Sequence, residues 1–213
     1  MRKQNTIDTY SKHAKAFDAK IGKLNNYNQS YLDFIALATG KRTILDLACG
    51  PANISDFIKK HVPEISICGV DLSPEMLQIA EQKLPTHKFY NSDILDLKIP
   101  NQTFDMIICG FGLPYLQPTE IPQLLKEIQK FSHSKTVFYI SCMQGNGTKT
   151  ETTSFTGNDT LDIVYHTKES ILDELKKHNF SLITYNELNY TEPDGSISID
   201  MIFMFSLQSC FHK

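Results

Sequence analysis

The stretch Ile44-Leu45-Asp46-Leu47-Ala48-Cys49-Gly50-Pro51-Ala52-Asn53 constrains the fold more than any other: an apolar run carries an acid and opens into a turn of small residues. Its β-branched and aliphatic content suits a strand buried on both faces of a parallel sheet. Asn53-Ile54-Ser55 onward reads as a helix, whose first amides face whatever lies over the turn. Small residues there let a ligand approach the backbone closely. A second apolar run, Ile65 to Val70, ends in Asp71, 21 residues beyond Gly50. Doubly wound folds place at that point the carboxylate that accepts hydrogen bonds from ribose hydroxyls. Together the two features describe a nucleotide-cofactor site.

The rest of the chain is consistent with an α/β fold. Residues Ile7 to Phe17 and Tyr31 to Ala38 read as N-terminal helices. Beyond them strands Thr43–Leu47, Ile65–Val70, Lys88–Tyr90, Phe104–Cys109 and Thr136–Ser141 alternate with helices Asn53–Lys60, Pro74–Lys83 and Ile121–Phe131. Such alternation implies right-handed crossovers and a parallel sheet. Ser73 is placed to cap the second of those helices, with Pro74 and Glu75 in its first turn. Two long β-rich runs, Ser181–Tyr190 and Ser196–Leu207, flank an Asp-Gly turn signal and predict an antiparallel hairpin at the sheet's end. Gln144 to Asp162, rich in Gly, Thr, Asn and Ser, reads as a long connection, either a cover for substrate or a surface insertion.

Composition excludes several function classes. With 213 residues and 41% hydrophobic content, one sizeable core is expected rather than two domains. A net charge of −3, with basic residues scattered in pairs such as Lys59-Lys60, gives no stripe for nucleic acid. No run of 18 apolar residues exists and the N-terminal segment has no apolar leader, so a soluble cytoplasmic protein without membrane contact is expected. The five cysteines are odd in number and widely spaced, and most fall in or beside strands. They read as small buried hydrophobes, with no metal site expected.

Four segments, in order and spacing, resemble the class I S-adenosylmethionine-dependent methyltransferases: Leu45 to Gly50, Gly69 to Leu77, Asn91-Ser92-Asp93-Ile94, and Phe104 to Cys109. Tyr10 to Tyr31 and Tyr165-His166 are similar to small bacterial members of that superfamily. The resemblance implies a Rossmann-like, doubly wound, seven-stranded and mostly parallel sheet with a C-terminal antiparallel hairpin and N-terminal helices. A single domain over 1–213 follows, with a helical cap at 1–40, a cofactor-binding core at 41–142, and a loop-and-hairpin region at 143–213. It also implies adenosylmethionine as cofactor, adenosylhomocysteine as product and a small-molecule methyl acceptor.

The chemistry of that cofactor accounts for the residues. Adenosylmethionine has an ammonium and a sulfonium but no phosphate, so Asp46 beside the turn suits the ammonium and would repel a pyrophosphate. Pro51 removes an amide that a phosphate site would use. Asp71 is placed for the ribose diol and Leu72 and Met76 to flank the adenine, while by resemblance Asp93 and Ile94 meet its amine and ring. The family's Gly-x-Gly-x-Gly pattern stands here as Ala48, Gly50 and Ala52, which predicts an ordinary backbone conformation or a cofactor set slightly outward.

Cys109 and Phe111 follow on the acceptor-facing side with Tyr115, where aromatic faces can meet the sulfonium. By resemblance Tyr10 folds over the cofactor. His166 is the leading candidate for a base if the acceptor is a hydroxyl, with Tyr115 as a second catalytic candidate. Two other readings remain open at this stage: an NAD-linked oxidoreductase, and a non-catalytic adenosylmethionine-binding regulator.

Overall fold

A computed structural model describes residues 2–38, 42–152, 155, 158–191 and 195–208. Three helices lead the chain, α1 (Arg2–Lys12), α2 (Ala14–Ile21) and α3 (Asn28–Leu37). Then come β1 (Thr43–Leu47), α4 (Asn53–His61), β2 (Ser66–Asp71), α5 (Pro74–Lys83), β3 (Lys88–Asn91), β4 (Phe104–Gly110), α6 (Ile121–Lys130) and β5 (Ser132–Met143). A hairpin of β6 (Gly147–Thr152) and β7 (Thr160–Tyr165) precedes α7 (Lys168–Lys177), β8 (Phe180–Thr191) and β9 (Ile197–Leu207). The single N-terminal helix expected over Ile7 to Phe17 is two, broken at His13.

The main sheet has seven strands in the order β3-β2-β1-β4-β5-β9-β8. Its first five strands pair in parallel, and β9 runs antiparallel to both β5 and β8. All five parallel strands therefore end on one edge, and the turn after β1 and the tip of β2 meet there. Successive side chains of β1 point to opposite faces. Leu45 and Leu47 join one buried cluster with Ile107, Leu124 and Phe138, while Ile44 joins the other with Phe34, Ile108 and Tyr139. Both faces are covered, which is why the parallel strands read as continuous apolar runs.

The segment expected to be a long connection, Gln144 to Asp162, holds β6 and the start of β7 instead. Six residue pairs, from Gly147↔Tyr165 to Thr152↔Thr160, join the two strands outside the main sheet. Threonines at 148, 150 and 152 supply the β-branched alternation that favours a strand, although their polarity resembles that of a loop. Cys49, Cys68, Cys109 and Cys142 are buried free thiols, and Cys210 lies outside the described residues. No helix among the described residues is long and apolar enough to cross a membrane, and no cluster of His, Cys, Asp or Glu among them could hold a metal ion.

Candidate cofactor and acceptor site

The turn after β1 has an unusual backbone. Ala48, Gly50 and Ala52 have φ of 52°, 52° and 59°, all in the left-handed region. The ordinary conformation expected for the two alanines is therefore not what the chain adopts. Each alanine costs about 1–2 kcal/mol in this region, strain that persists only where surrounding contacts impose it. Phe111, at the end of β4, has a φ of 56°, and its amide donates to the Ser141 carbonyl at 3.2 Å and hydroxyl at 3.1 Å. Three of these left-handed positions close the end of β1 and the fourth closes the neighbouring end of β4. Ala52 precedes α4 without a side-chain cap, so the helix presents its first turn of amides to the same place.

Two carboxylates hold the turn. Asp71 accepts hydrogen bonds from the amides of Gly50 at 2.9 Å and Ser73 at 2.8 Å, which ties the end of β2 to the turn after β1. Burial raises its pKa above the ordinary value, opposed by those backbone bonds. Asp46 shares the parity of Ile44, so it points toward α4, where it accepts a 2.5 Å hydrogen bond from the Ser55 hydroxyl. It is 1% exposed. Burial pushes its pKa up to about 7; the Ser55 bond opposes this and the charge of Asp71 adds to it. The turn thus lies over a carboxylate poised to ionise when a cation arrives.

The other predicted residues fall into two groups. Leu72 is partly buried between Asp71 and the Ser73 cap, whose hydroxyl accepts from the Met76 amide at 3.2 Å. Met76, Ile94 and Cys109 are buried, and the latter two belong to the core cluster. Burial pushes the Cys109 thiol up to about 12, so it packs as an apolar group. Asp93 accepts from the Leu95 amide at 3.0 Å, an Asx turn, and its second oxygen pairs with Lys3 of α1. Phe111 packs edge-on against Tyr27, 5.1 Å between ring centroids, so its ring meets α3's cap residue.

Tyr10 of α1 and Tyr115 come together. Their hydroxyls are hydrogen-bonded and their rings meet edge to face at 5.5 Å. Burial is the main cause of the rise of both pKa values, with Tyr10 pushed to about 12. Tyr115 is therefore a neutral hydroxyl beside the site. His166 does not stand with them. It is 2% exposed, its Nε2 lies 3.0 Å from the Leu113 carbonyl, and its backbone bridges Met143 and Gly145. Burial lowers its pKa. The histidine fastens the hairpin to the turn after β4.

Two aromatic residues in this group went unforeseen. Phe17 of α2 and Phe155, between β6 and β7, pack on Tyr10 at 5.2 Å and 5.3 Å. A Cβ built on Gly50 would lie 3.8 Å from Phe17, so that ring covers the turn. Phe17 lies seven residues after Tyr10, a helical repeat that was a readable signal. Nothing local marks Phe155.

Known proteins share this architecture. Residues 44–134 match a family described as a methyltransferase domain. Over 81 residues the chain is 36% identical to a demethylmenaquinone methyltransferase of Deinococcus radiodurans, covering 36% of this chain and 34% of that protein. Over 92 residues it is 33% identical to a trans-aconitate 2-methyltransferase of Yersinia pestis, covering 42% and 35%. The matches thus span about a third of the length of these relatives. A solved S-adenosylmethionine-dependent methyltransferase from Clostridium acetobutylicum superposes with a TM-score of 0.71 at 18% identity, over 94% of this chain and all of that one. Magnesium protoporphyrin IX methyltransferase from Synechocystis, solved with bound adenosylmethionine, gives 0.72 at 14% identity over 98% of both chains. Residues 44–134 thus match a methyltransferase domain in sequence, and the fold along nearly the whole chain is that of solved S-adenosylmethionine-dependent methyltransferases.

Proposed function

We propose that the protein binds S-adenosylmethionine at the edge formed by β1, β2 and β4 and transfers its methyl group to a small-molecule acceptor. The observation that carries this reading is the buried carboxylate beneath a left-handed turn whose central amide is held by a second carboxylate. The donor set suits a ligand with an ammonium and a ribose and disfavours a pyrophosphate, because Asp46 would repel it and Pro51 offers no amide. The sheet order also departs from the dinucleotide-binding Rossmann domain, in which no antiparallel strand enters between the fifth strand and the edge. The oxidoreductase reading is thereby disfavoured.

When bound, the cofactor supplies a methyl on a cationic sulfur, open to in-line displacement. Asp71 has lone pairs beyond those used by Gly50 and Ser73 to accept ribose hydroxyls. Asp46 lowers the cost of placing an ammonium over the turn. Tyr10, Phe17, Tyr115 and Phe155 exclude water and offer ring faces to a cation, worth about 0.5–2 kcal/mol. Positioning supplies most of the acceleration, since orientation alone is worth on the order of 7–11 kcal/mol.

A single domain, a small acceptor in place of nucleic acid, and the cytoplasm as the site of action belong to the same proposal. Radiolabelled methyl transfer to a metabolite extract, with heat-denatured protein as control, tests the activity. A labelled product that depends on folded protein supports it. Binding without any transfer supports a regulator that only senses the cofactor.

A further inference from the structure

Phe111 holds a left-handed backbone, φ 56°, which a bulky side chain adopts only where its surroundings impose it. Two contacts do so. Its amide donates to the carbonyl and hydroxyl of Ser141 on β5, and its ring lies edge-on against Tyr27, 5.1 Å between centroids. Tyr27 is fixed in turn. Its hydroxyl donates to Asp200 Oδ2 of β9 at 2.6 Å. Its carbonyl accepts from the Ser30 hydroxyl at 2.8 Å, and that hydroxyl lies 3.0 Å from the Tyr139 hydroxyl of β5. Asp200 is 3% exposed. Burial, then the charge of Asp200, raises the Tyr27 pKa, so the hydroxyl is a neutral donor.

The Tyr27–Asp200 pair stands at the binding edge. Asp200 is level with Met143, the last residue of β5, and Phe111 follows Gly110, the last residue of β4, which is level with Ser141. Tyr27 thus crosses the ends of three neighbouring strands, from β9 over β5 to β4. Beyond Phe111 the chain meets the cofactor turn directly, because a Cβ built on Gly112 would lie 3.2 Å from the Ala48 methyl. The Tyr115 amide donates to the Gly112 carbonyl at 3.2 Å, and the Tyr115 hydroxyl is bonded to that of Tyr10. Contacts therefore run unbroken from Asp200 through Tyr27, Phe111 and Gly112 to Ala48 and Tyr115.

We propose that Asp200 and Tyr27 are a positioning pair for the methyl donor: they hold the turn after β4 so that the Tyr115 ring faces the sulfonium. The proposal rests on the adenosylmethionine reading. Both residues act through others. Asp200 acts by accepting the Tyr27 hydrogen bond, which an uncharged acceptor of the same shape also does. A Tyr115 ring moved away from the sulfonium weakens binding of the cationic cofactor and spares the thioether product, which lacks that charge.

The test is calorimetric titration of the full chain with S-adenosylmethionine and, separately, S-adenosylhomocysteine, read as the ratio of the two affinities. In Tyr27→Phe and Asp200→Ala the ratio is expected to shift against S-adenosylmethionine by at least about threefold, within the roughly 2- to 30-fold span of one cation–π contact. Asp200→Asn, which still accepts the tyrosine bond, should keep the wild-type ratio within about twofold. A general loss of stability weakens both ligands alike, and Tyr27→Phe, the mildest change, carries the test if Asp200→Ala does not fold. An unchanged ratio in Tyr27→Phe overturns the proposal. So does a ratio that shifts as far in Asp200→Asn as in Tyr27→Phe, which would make the charge of Asp200 the cause. Failure of the wild-type chain to bind either ligand overturns the underlying cofactor reading, and is seen before any variant is made.

Discussion

Asp46 lies beneath the cofactor turn as a carboxyl whose pKa burial has moved to about 7, against about 3.9 for an unfolded aspartate. The folded protein therefore holds a proton there that the unfolded chain has released. Its stabilising contribution is full below about pH 4 and is lost as pH rises through about 7, at up to about 1.4 kcal/mol per pH unit. Urea denaturation of the ligand-free protein across this window should show a decline on the order of 4 kcal/mol from this group, and Asp46→Asn should flatten it. An unchanged slope in the variant would remove Asp46 from the account. The strained alanines give a second prediction. Ala48→Gly should raise stability by about 0.5–1 kcal/mol, because glycine adopts a left-handed φ without the Cβ penalty. A loss of stability would mean that packing of the Ala48 methyl outweighs the strain.

Among the elements, the β6–β7 hairpin is fastened by a residue that also stands as the candidate base. His166, the residue after β7, has its ring bonded to the Leu113 carbonyl. His166→Ala should cost about 1–3 kcal/mol in denaturation, the penalty for an orphaned buried partner. The pH profile of methyl transfer should keep its shape. Full stability with abolished turnover would restore the histidine as a base. Parallel strands such as β1 are legible because both faces are buried and the run is apolar apart from Asp46, and Ser73-Pro74 marks a helix start by local hydrogen bonding alone. The hairpin's alternation is written in threonines, whose polarity hides it. In the site, Asp46, Gly50 and Asp71 are legible because a strand–turn–helix unit sets their spacing. Phe155 reaches Tyr10 and Phe17 only through the docking of a hairpin distant in sequence, and no local pattern encodes that docking.

At the scale of the whole molecule, the parallel strands bring the turn after β1, the tip of β2 and the end of β4 to one edge of the sheet. The N-terminal helices and the β6–β7 hairpin then close over that edge from opposite ends of the chain. Tyr10, Phe17 and Phe155 meet across the gap, and Lys12 and His13 join Asp159 at its rim. The arrangement suits a ligand whose cationic centre must be kept from water, and Asp71, which ties β2 to the turn, is the residue proposed to hold its ribose. Calorimetric titration of the folded chain with S-adenosylmethionine tests this most directly. Saturable one-to-one binding is expected, weakened by about 1–3 kcal/mol, roughly 5- to 150-fold, in Asp71→Ala. Absence of binding to folded protein, or an affinity indifferent to Asp71, would contradict it.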